Sequence, residues 1–163
     1  MKKSLKFLCN LGKVKKNNKE IKNKQKMEIE EKKTVKTVAI EFLEKRNVKY
    51  EIQENKSCET ILFKYQGGLF FICFFEEDPT FFNIAMPFIY KIDNDRIKVL
   101  EAIVNLMDKG SLIRAFLHND DVNLKVDTYI DPNSNFDFFE EMIELFFACL
   151  FESQRRFREL LKE

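Results

Sequence analysis

Residues 134–163 read SNFDFFEEMIELFFACLFESQRRFRELLKE, and this stretch decides how the fold closes. Its apolar residues recur at spacings of three and four, as they do along one face of an α-helix. The members of this row are Phe136, Phe139, Ile143, Phe146, Leu150, Phe157 and Leu160. A second apolar row lies beside it and comprises Phe138, Met142, Leu145 and Cys149. The pattern predicts one long amphipathic helix whose wide apolar arc is covered from two sides.

The composition fits a single domain with a substantial core. The chain has 163 residues, of which 45% are hydrophobic and 18 are Phe, so the core needs neither disulfides nor a metal. The longest apolar run, LFFICFF at 69–75, is far shorter than the roughly 20 residues that cross a bilayer. The four cysteines, at positions 9, 58, 73 and 149, form no CxxC pair. We therefore expect a cytoplasmic protein without a membrane segment.

The charge of the chain is unevenly distributed. Residues 1–33 carry 12 Lys and 4 Glu, a net charge of +8, whereas residues 34–163 carry a net charge of −7. Because the first segment lacks hydrophobic periodicity, we expect a disordered or loosely helical tail before one domain spanning 34–163. The tail has two interpretations, a solvated extension, which we favour, or a basic arm for nucleic acid or anionic lipid.

The first half of the domain has the pattern of one helix followed by four strands. A helical spacing of apolar residues covers 34–47, and Asn47 suits a left-handed stop. Three strand patterns follow at 48–52, 60–66 and 69–75, and Gly67 with Gly68 marks a tight hairpin between the last two. A fourth covers 81–92, where Pro87 predicts an edge strand or a bulge.

The second half predicts a helix, a hairpin and the long final helix. Asp93 or Asn94 caps the helix, which runs to Met107 before Gly110. Its expected apolar face contains Ile97, Leu100, Ile103, Val104 and Met107. Residues 111–118 and 122–130 form the hairpin, in which Val122, Leu124, Val126 and Ile130 alternate with Asn123, Lys125, Asp127 and Tyr129. Ser134 and Asp137 resemble a capping box. The order α-β-β-β-β-α-β-β-α predicts an α+β fold with helices packed on an antiparallel sheet.

The residues that carry chemistry form no catalytic pattern. His118 is the only histidine, and it stands at a hairpin end without a glycine elbow or helix start beside it. The acidic group Glu140, Glu141 and Glu144 and the basic group Arg155, Arg156 and Arg158 suit the two ends of a helix dipole. No cysteine pair suggests zinc, and no glycine-rich loop suggests a nucleotide. We expect no catalytic residues, no metal and no cofactor, and therefore no enzyme.

The strand at 69–75 is apolar on both of its alternating sets of side chains. One set is Phe70, Ile72 and Phe74, and the other is Phe71, Cys73 and Phe75. Both faces of the sheet need cover here. Either helices of the same chain cover both sides, which we favour, or one face receives a partner. In the second case Phe71, Cys73 and Phe75 are the candidate partner-binding residues.

Several stretches together resemble the YbjN and type III secretion chaperone-like family over residues 34–163. They are the element order, the edge-like aromatic strands, the turn NLKVDTYIDPNSNFD at 123–137 and the closing FESQRRFRELLKE at 151–163. The resemblance implies a compact α+β domain, frequently homodimeric, that binds or regulates proteins without catalysis, and it supplies no functional residues. Our expectation is a non-enzymatic protein-binding or chaperone-like domain whose partner is another protein or a second copy of itself. The alternative is a small regulatory domain whose basic tail contacts nucleic acid.

Overall fold

The computed structural model describes residues 34–55, 57–108, 112–131 and 136–162. They form α1 (Val35–Lys45), β1 (Tyr50–Glu54), β2 (Cys58–Tyr65), β3 (Gly68–Phe75), β4 (Phe81–Lys91), α2 (Arg96–Met107), β5 (Arg114–His118), β6 (Asp121–Tyr129) and α3 (Phe139–Leu160). The predicted α+β class and element order are confirmed. The predictions about the tail, Gly110 and the Ser134 cap lie outside the described residues. No helix among the described residues is long and apolar enough to cross a membrane.

The six strands form one antiparallel sheet in the order β1-β2-β3-β4-β6-β5. The β2–β3 hairpin closes on the pair Tyr65 and Gly68, with Gln66 at φ 48° and Gly67 at φ 83° between them. Positive φ at both turn residues matches the right-handed twist of the strands. The predicted hairpin is confirmed, although its turn lies one residue before the Gly67–Gly68 pair. Gly68 instead opens β3, where a side chain would meet Phe70 at 2.8 Å.

Pro87 lies in a bulge and not in an edge strand. β4 runs between β3 and β6, so the edge-strand alternative is wrong. The register with β6 shifts between Met86 and Tyr90 because proline has no N–H for the ladder. Within the bulge Phe88 adopts a φ of 54°, and its N–H donates to Oδ1 of the buried Asn123 at 3.1 Å.

One face of the sheet, which we call the inner face, carries the core. It consists of alternate residues of the central strands, all of them buried: Ile61, Phe63, Phe70, Ile72, Phe82, Ile84, Val122, Leu124 and Val126. The ring of Phe147 on α3 lies 4.7 Å from Phe70 and 6.1 Å from Phe42 on α1, between centroids. Both α1 and α3 therefore pack on the inner face.

The final helix buries the first predicted row and leaves the second largely open. Its buried residues are Phe139, Ile143, Phe146, Phe147, Leu150, Ser153 and Phe157. Phe138 and Leu145 are exposed, and Met142 and Cys149 are only half-buried. The sheet and α2 contact α3 from two sides, as predicted. The expectation that the second row is covered is wrong for Phe138 and Leu145, because Phe147 widens the buried arc in its place.

The predicted apolar face of α2 is also wrong. Val99, Ala102, Ile103 and Leu106 are buried, and of the predicted set only Ile103 belongs to them. The helix carries apolar residues on two sides, so helical spacing fits either one. Its cap is Asp95, whose Oδ1 accepts the N–H of Lys98 at 3.0 Å, and neither Asp93 nor Asn94.

Candidate protein-binding face

The other side of the sheet, the outer face, contains the three candidate residues of the sequence analysis. Phe71, Cys73 and Phe75 alternate along β3 with Phe70 and Ile72, which point to the inner face. Phe70 and Ile72 are 0% exposed, whereas Phe71, Cys73 and Phe75 are all half-buried. The structure therefore brings the three candidates together on the side of the sheet opposite the core.

Aromatic side chains continue across the outer face at one end of the sheet. The ring of Phe75 on β3 lies 5.1 Å from that of Phe81 on β4, which lies 4.8 Å from that of Tyr129 on β6. We call Phe75, Phe81 and Tyr129 the aromatic row. Tyr129 is 69% exposed, so the row presents aromatic surface and a hydroxyl group to solvent.

A second apolar row crosses the outer face four residues before Phe75 on β3. Leu62, Phe71 and Ala85 stand opposite each other on β2, β3 and β4, and all three are half-buried. We call them the aliphatic-aromatic row. Four residues of strand separate it from the aromatic row by roughly 13 Å.

Between the two rows lies a line of small and polar groups. Thr60, Cys73, Asn83 and Asp127 are register neighbours on four strands. Thr60 donates a hydrogen bond to Sγ of Cys73 at 3.5 Å. Burial raises the pKa of the Cys73 thiol, and the hydrogen bond from Thr60 opposes this shift. Cys73 is thus held as a neutral thiol that packs like a small hydrophobe, which does not suit a nucleophile.

A charged border closes the outer face on the β6 and β5 side. Nζ of Lys125 donates to Asp127 at 3.0 Å, and Nη1 of Arg114 lies 3.7 Å from the same carboxylate. Lys125 also lies 5.9 Å from the ring centroid of Phe116. Two cations share one carboxylate, so the border carries an excess positive charge.

No described helix covers the outer face. α1 and α3 lie on the inner face, and α2 packs against α3 and the edge strand β5. The favoured expectation that helices of the chain cover both sides is therefore wrong for the part of the chain that the structure describes. An antiparallel sheet can leave one of its faces uncovered by helices. Here the described helices pack on the inner face or against one another, so the outer face is the uncovered one.

Two of the acidic candidates on α3 have structural partners on or directly after α1. Glu140 accepts a hydrogen bond from Lys45 at 2.7 Å, and Glu144 accepts one from Nε of Arg46 at 2.9 Å, so these carboxylates tie α3 to α1. The Arg46 guanidinium also lies 3.9 Å from the ring centroid of Phe42. Hydrogen bonding to Lys45 lowers the pKa of Glu140. The interpretation that Glu140 and Glu144 only complement the helix dipole was incomplete.

Arg155 of the basic group pairs with carboxylates of its own helix, and the described ranges contain no cluster of metal-ligating side chains. Arg155 donates to Glu152 at 2.9 Å and to Glu159 at 2.6 Å along the surface of α3, and these carboxylates raise its pKa. His118 is exposed and ends β5. Among the described residues, no three His, Cys, Asp or Glu side chains lie close enough to hold a metal ion.

Sequence reasoning missed Leu62, Phe81 and Tyr129 as members of the candidate face. Two signals bear on them. Counting back from the β2–β3 turn pairs Leu62 with Phe71 on the neighbouring strand. The alternation of β6 places Tyr129 on the face of the sheet away from the buried residues of that strand. Placing Phe81 beside Phe75 requires the pairing register of β3 and β4. The turn between these strands is irregular, so its sequence does not define that register.

Comparison with known proteins gives the fold and no family. No family model matches the chain, and no curated protein matches it either. A crystal structure of an uncharacterized protein from Methanothermobacter thermautotrophicus has a similar fold, with a TM-score of 0.58 and 8% sequence identity. The match covers 78% of this chain and 96% of the other. At this identity the similarity concerns the fold alone.

Proposed function

We propose that this protein is a non-enzymatic, chaperone-like domain whose outer sheet face binds an apolar segment of another protein. The observation that carries the proposal is the pair of apolar rows on a face over which no described helix lies. Contiguous apolar patches on a soluble domain commonly mark interaction sites, and aromatic residues are enriched at such sites.

The layout of the face limits what it can hold. The aromatic row, whose β3 member is Phe75, and the aliphatic-aromatic row, whose β3 member is Phe71, lie roughly 13 Å apart. A segment that engages both therefore needs two apolar groups at about that spacing. The excess positive charge of Arg114 and Lys125 favours a segment with carboxylates beside its apolar groups.

The resemblance to YbjN and type III secretion chaperone-like proteins supports the same class of function. Those proteins act by binding other proteins, and the half-buried free thiols Cys58 and Cys73 suit a reducing cytoplasm. A second copy of the chain is the alternative occupant of the outer face. The test below distinguishes it from a client of different sequence.

Copurification from the protein's own cell tests this proposal. The tagged wild-type chain should retain a discrete set of polypeptides at moderate salt, and Phe71→Ser with Phe75→Ser should lose them. The matched control is Phe138→Ser, an exposed phenylalanine outside the outer face, which should retain them. Native far-ultraviolet circular dichroism of both variants establishes that folding is intact.

Three results would contradict the proposal. Equal retention by the wild type and the double variant would place binding elsewhere. Recovery of the chain's own second copy as the outer-face ligand would replace the client by a dimer. Salt-sensitive retention on nucleic acid, lost with residues 1–33, would favour the regulatory alternative.

A further inference from the structure

A cavity of about 320 Å³ lies between α2, the second half of α3 and the residues that lead into β5. Leu106 of α2 and Ile113 before β5, which are 3% and 2% exposed, form apolar parts of its wall. Leu112, which is 66% exposed, borders it on the solvent side. We call this space the α2–α3 cavity. None of its described lining residues belongs to the outer face, so it is a separate place on the domain.

Ser153 places a buried polar group on the wall of the α2–α3 cavity. The residue is only 8% exposed, and its hydroxyl group has no hydrogen-bond partner among the residues that the structure describes. Buried polar groups nearly always have a partner, and a missing partner destabilises the folded state. The hydroxyl group therefore faces a space in which a ligand can supply the partner that the chain does not.

Arg156 supplies a positive charge at the same cavity. It is half-buried and lies three residues after Ser153, on the same side of α3. In the described ranges it forms no ion pair, because Nε and Nη2 of Arg155 hold the neighbouring carboxylate of Glu152 at 2.9 and 2.5 Å. Hydrogen bonding with Arg155 lowers the pKa of Glu152, and Arg156 adds a weaker attraction. The guanidinium group of Arg156 is therefore available to an external anion.

The size of the α2–α3 cavity limits the length of a ligand. Its volume of about 320 Å³ lies near the lower end of the roughly 300–1,000 Å³ that ligand pockets occupy. A water molecule takes about 30 Å³ and a methylene group is of similar size, so about ten non-hydrogen atoms fill the cavity. Apolar walls with a cation and a hydroxyl group suit an alkyl chain that ends in a carboxylate. A chain of about eight carbons with its carboxylate oxygens has this number of atoms.

We propose that the α2–α3 cavity binds a small aliphatic monocarboxylate. The carboxylate accepts hydrogen bonds from the Arg156 guanidinium and the Ser153 hydroxyl, and the alkyl chain lies against Leu106 and Ile113. An inorganic anion would leave these apolar side chains without contact, and a plain hydrocarbon would leave the Ser153 hydroxyl without a partner. The charge and the chain are therefore both needed for recognition. Cys149 lines the same cavity, so its thiol reports on occupancy.

Protection of Cys149 from alkylation tests the proposal on the full chain. Sodium octanoate should slow the reaction of this thiol with iodoacetamide, because the bound chain fills the space beside it. Cys58, a half-buried thiol on β2, should react at an unchanged rate and is the internal control. Peptide mass spectrometry measures both thiols in one sample. Equal slowing of both, or slowing of neither, contradicts the proposal.

Calorimetric titration separates the contribution of the head group from that of the chain. Octan-1-ol has the same chain without the charge, so Arg156→Gln should lower the affinity for octanoate about tenfold and leave that for octan-1-ol unchanged. The matched control is Arg158→Gln, which removes the same charge from an exposed position of α3 outside the cavity and should bind octanoate like the wild type. Equal losses in the two variants, or none in either, would overturn the assignment.

Ser153→Ala distinguishes a binding role from a structural one. Loss of a buried hydroxyl without a partner should raise the melting temperature of the unliganded protein, and loss of the hydrogen bond to the carboxylate should weaken octanoate binding about tenfold. A serine that only stabilises the helix would give the opposite result. The variant would then melt earlier and bind octanoate with unchanged affinity, which would refute the role of Ser153 in the site.

The length of the chain tests whether the cavity is the site. From butanoate to octanoate the affinity should rise about fourfold with each methylene, and longer chains should gain little because about ten non-hydrogen atoms fill the space. A rise that continues through dodecanoate would indicate adsorption to an open apolar surface and would contradict the proposal. Octanoate should bind the variant Phe71→Ser with Phe75→Ser as it binds the wild type, so this result is independent of client binding at the outer face.

Discussion

The two faces of the sheet contrast although they are built from the same strands. On β3 the inner residues Phe70 and Ile72 are fully buried beneath α3, and the outer residues Phe71 and Phe75 are only half-buried. The amino-acid types are alike, so hydrophobicity does not separate the two sets. The position of the helices does, and an apolar side chain is a core residue only where an element of the chain lies above it.

This contrast has a thermodynamic consequence. Apolar side chains on the inner face release water on folding and thereby stabilise the domain. Those on the outer face retain part of their contact with water and can release it only on association. We therefore expect the inner face to determine stability and the outer face to contribute the proposed binding, and the following substitutions test this division.

The largest expected effect is the difference between two adjacent phenylalanines. Phe70→Ala should lower the free energy of unfolding by about 3 to 5 kcal/mol because its ring packs against Phe63 and Phe147. Phe71→Ala should cost less than half of that, since its ring is only half-buried. Urea unfolding of both variants gives the values. Equal costs would mean that the outer face is part of the core.

The next effect concerns Asn123, which is buried on the outward-facing side of β6. Its Oδ1 accepts the Phe88 N–H, and its Nδ2 donates to the carbonyl oxygen of Asp121 at 2.9 Å. Asn123→Ala leaves the bulge donor without a partner and should cost about 1 to 3 kcal/mol in urea unfolding. The control Asn83→Ala, at a half-buried outer position, should change stability by about 0.5 kcal/mol or less. A similar value for both would refute the role of Asn123 in the bulge.

A smaller, pH-dependent effect lies at the border of the inner layer, where Glu140 joins α3 to α1. The hydrogen bond with Lys45 lowers the pKa of this carboxyl in the folded state. Its contribution to the free energy of unfolding is therefore fully present above the unfolded pKa of about 4.3 and is lost as the pH falls through the folded pKa. The difference in melting temperature between the wild type and Glu140→Gln should therefore shrink on acidification. A difference that grows with acid would contradict the sign of the shift.

The smallest effect is expected from removing residues 1–33. Their lysine-rich sequence lacks an apolar stripe, so the truncated chain should unfold cooperatively with a nearly unchanged melting temperature. Client retention through the outer face should also persist. Loss of cooperative unfolding on calorimetry would mean that residues 1–33 pack on the domain. The outer face would then no longer be the uncovered side of the sheet by default.

Sequence reasoning succeeded where one local pattern has one structural solution. The β2–β3 hairpin follows from glycine at a turn that needs positive φ, and the two sides of β6 follow from the strict alternation around Leu124 and Val126. The buried row of α3 through Phe139 and Phe157 was equally well defined, since its spacing is helical over its whole length.

It failed where two solutions share one pattern. On α2, Leu100 and Leu106 both belong to helically spaced apolar sets, and only the position of α3 decides which is buried. Pro87 is compatible with an edge or a bulge until the place of β4 in the sheet is known. For the candidate face, alternation named Phe71, Cys73 and Phe75, but the cover over them is a property of the tertiary fold.

Site-specific photo-crosslinking in the protein's own cell tests the central claim most directly. A photoreactive phenylalanine analogue at position 75 reports what touches the aromatic row, and the same analogue at position 138 reports an exposed site away from it. We predict discrete products, joined to a polypeptide of different sequence, at position 75 and none of them at position 138. Absence of any product at position 75, or the same products at both positions, would contradict a protein-binding outer face.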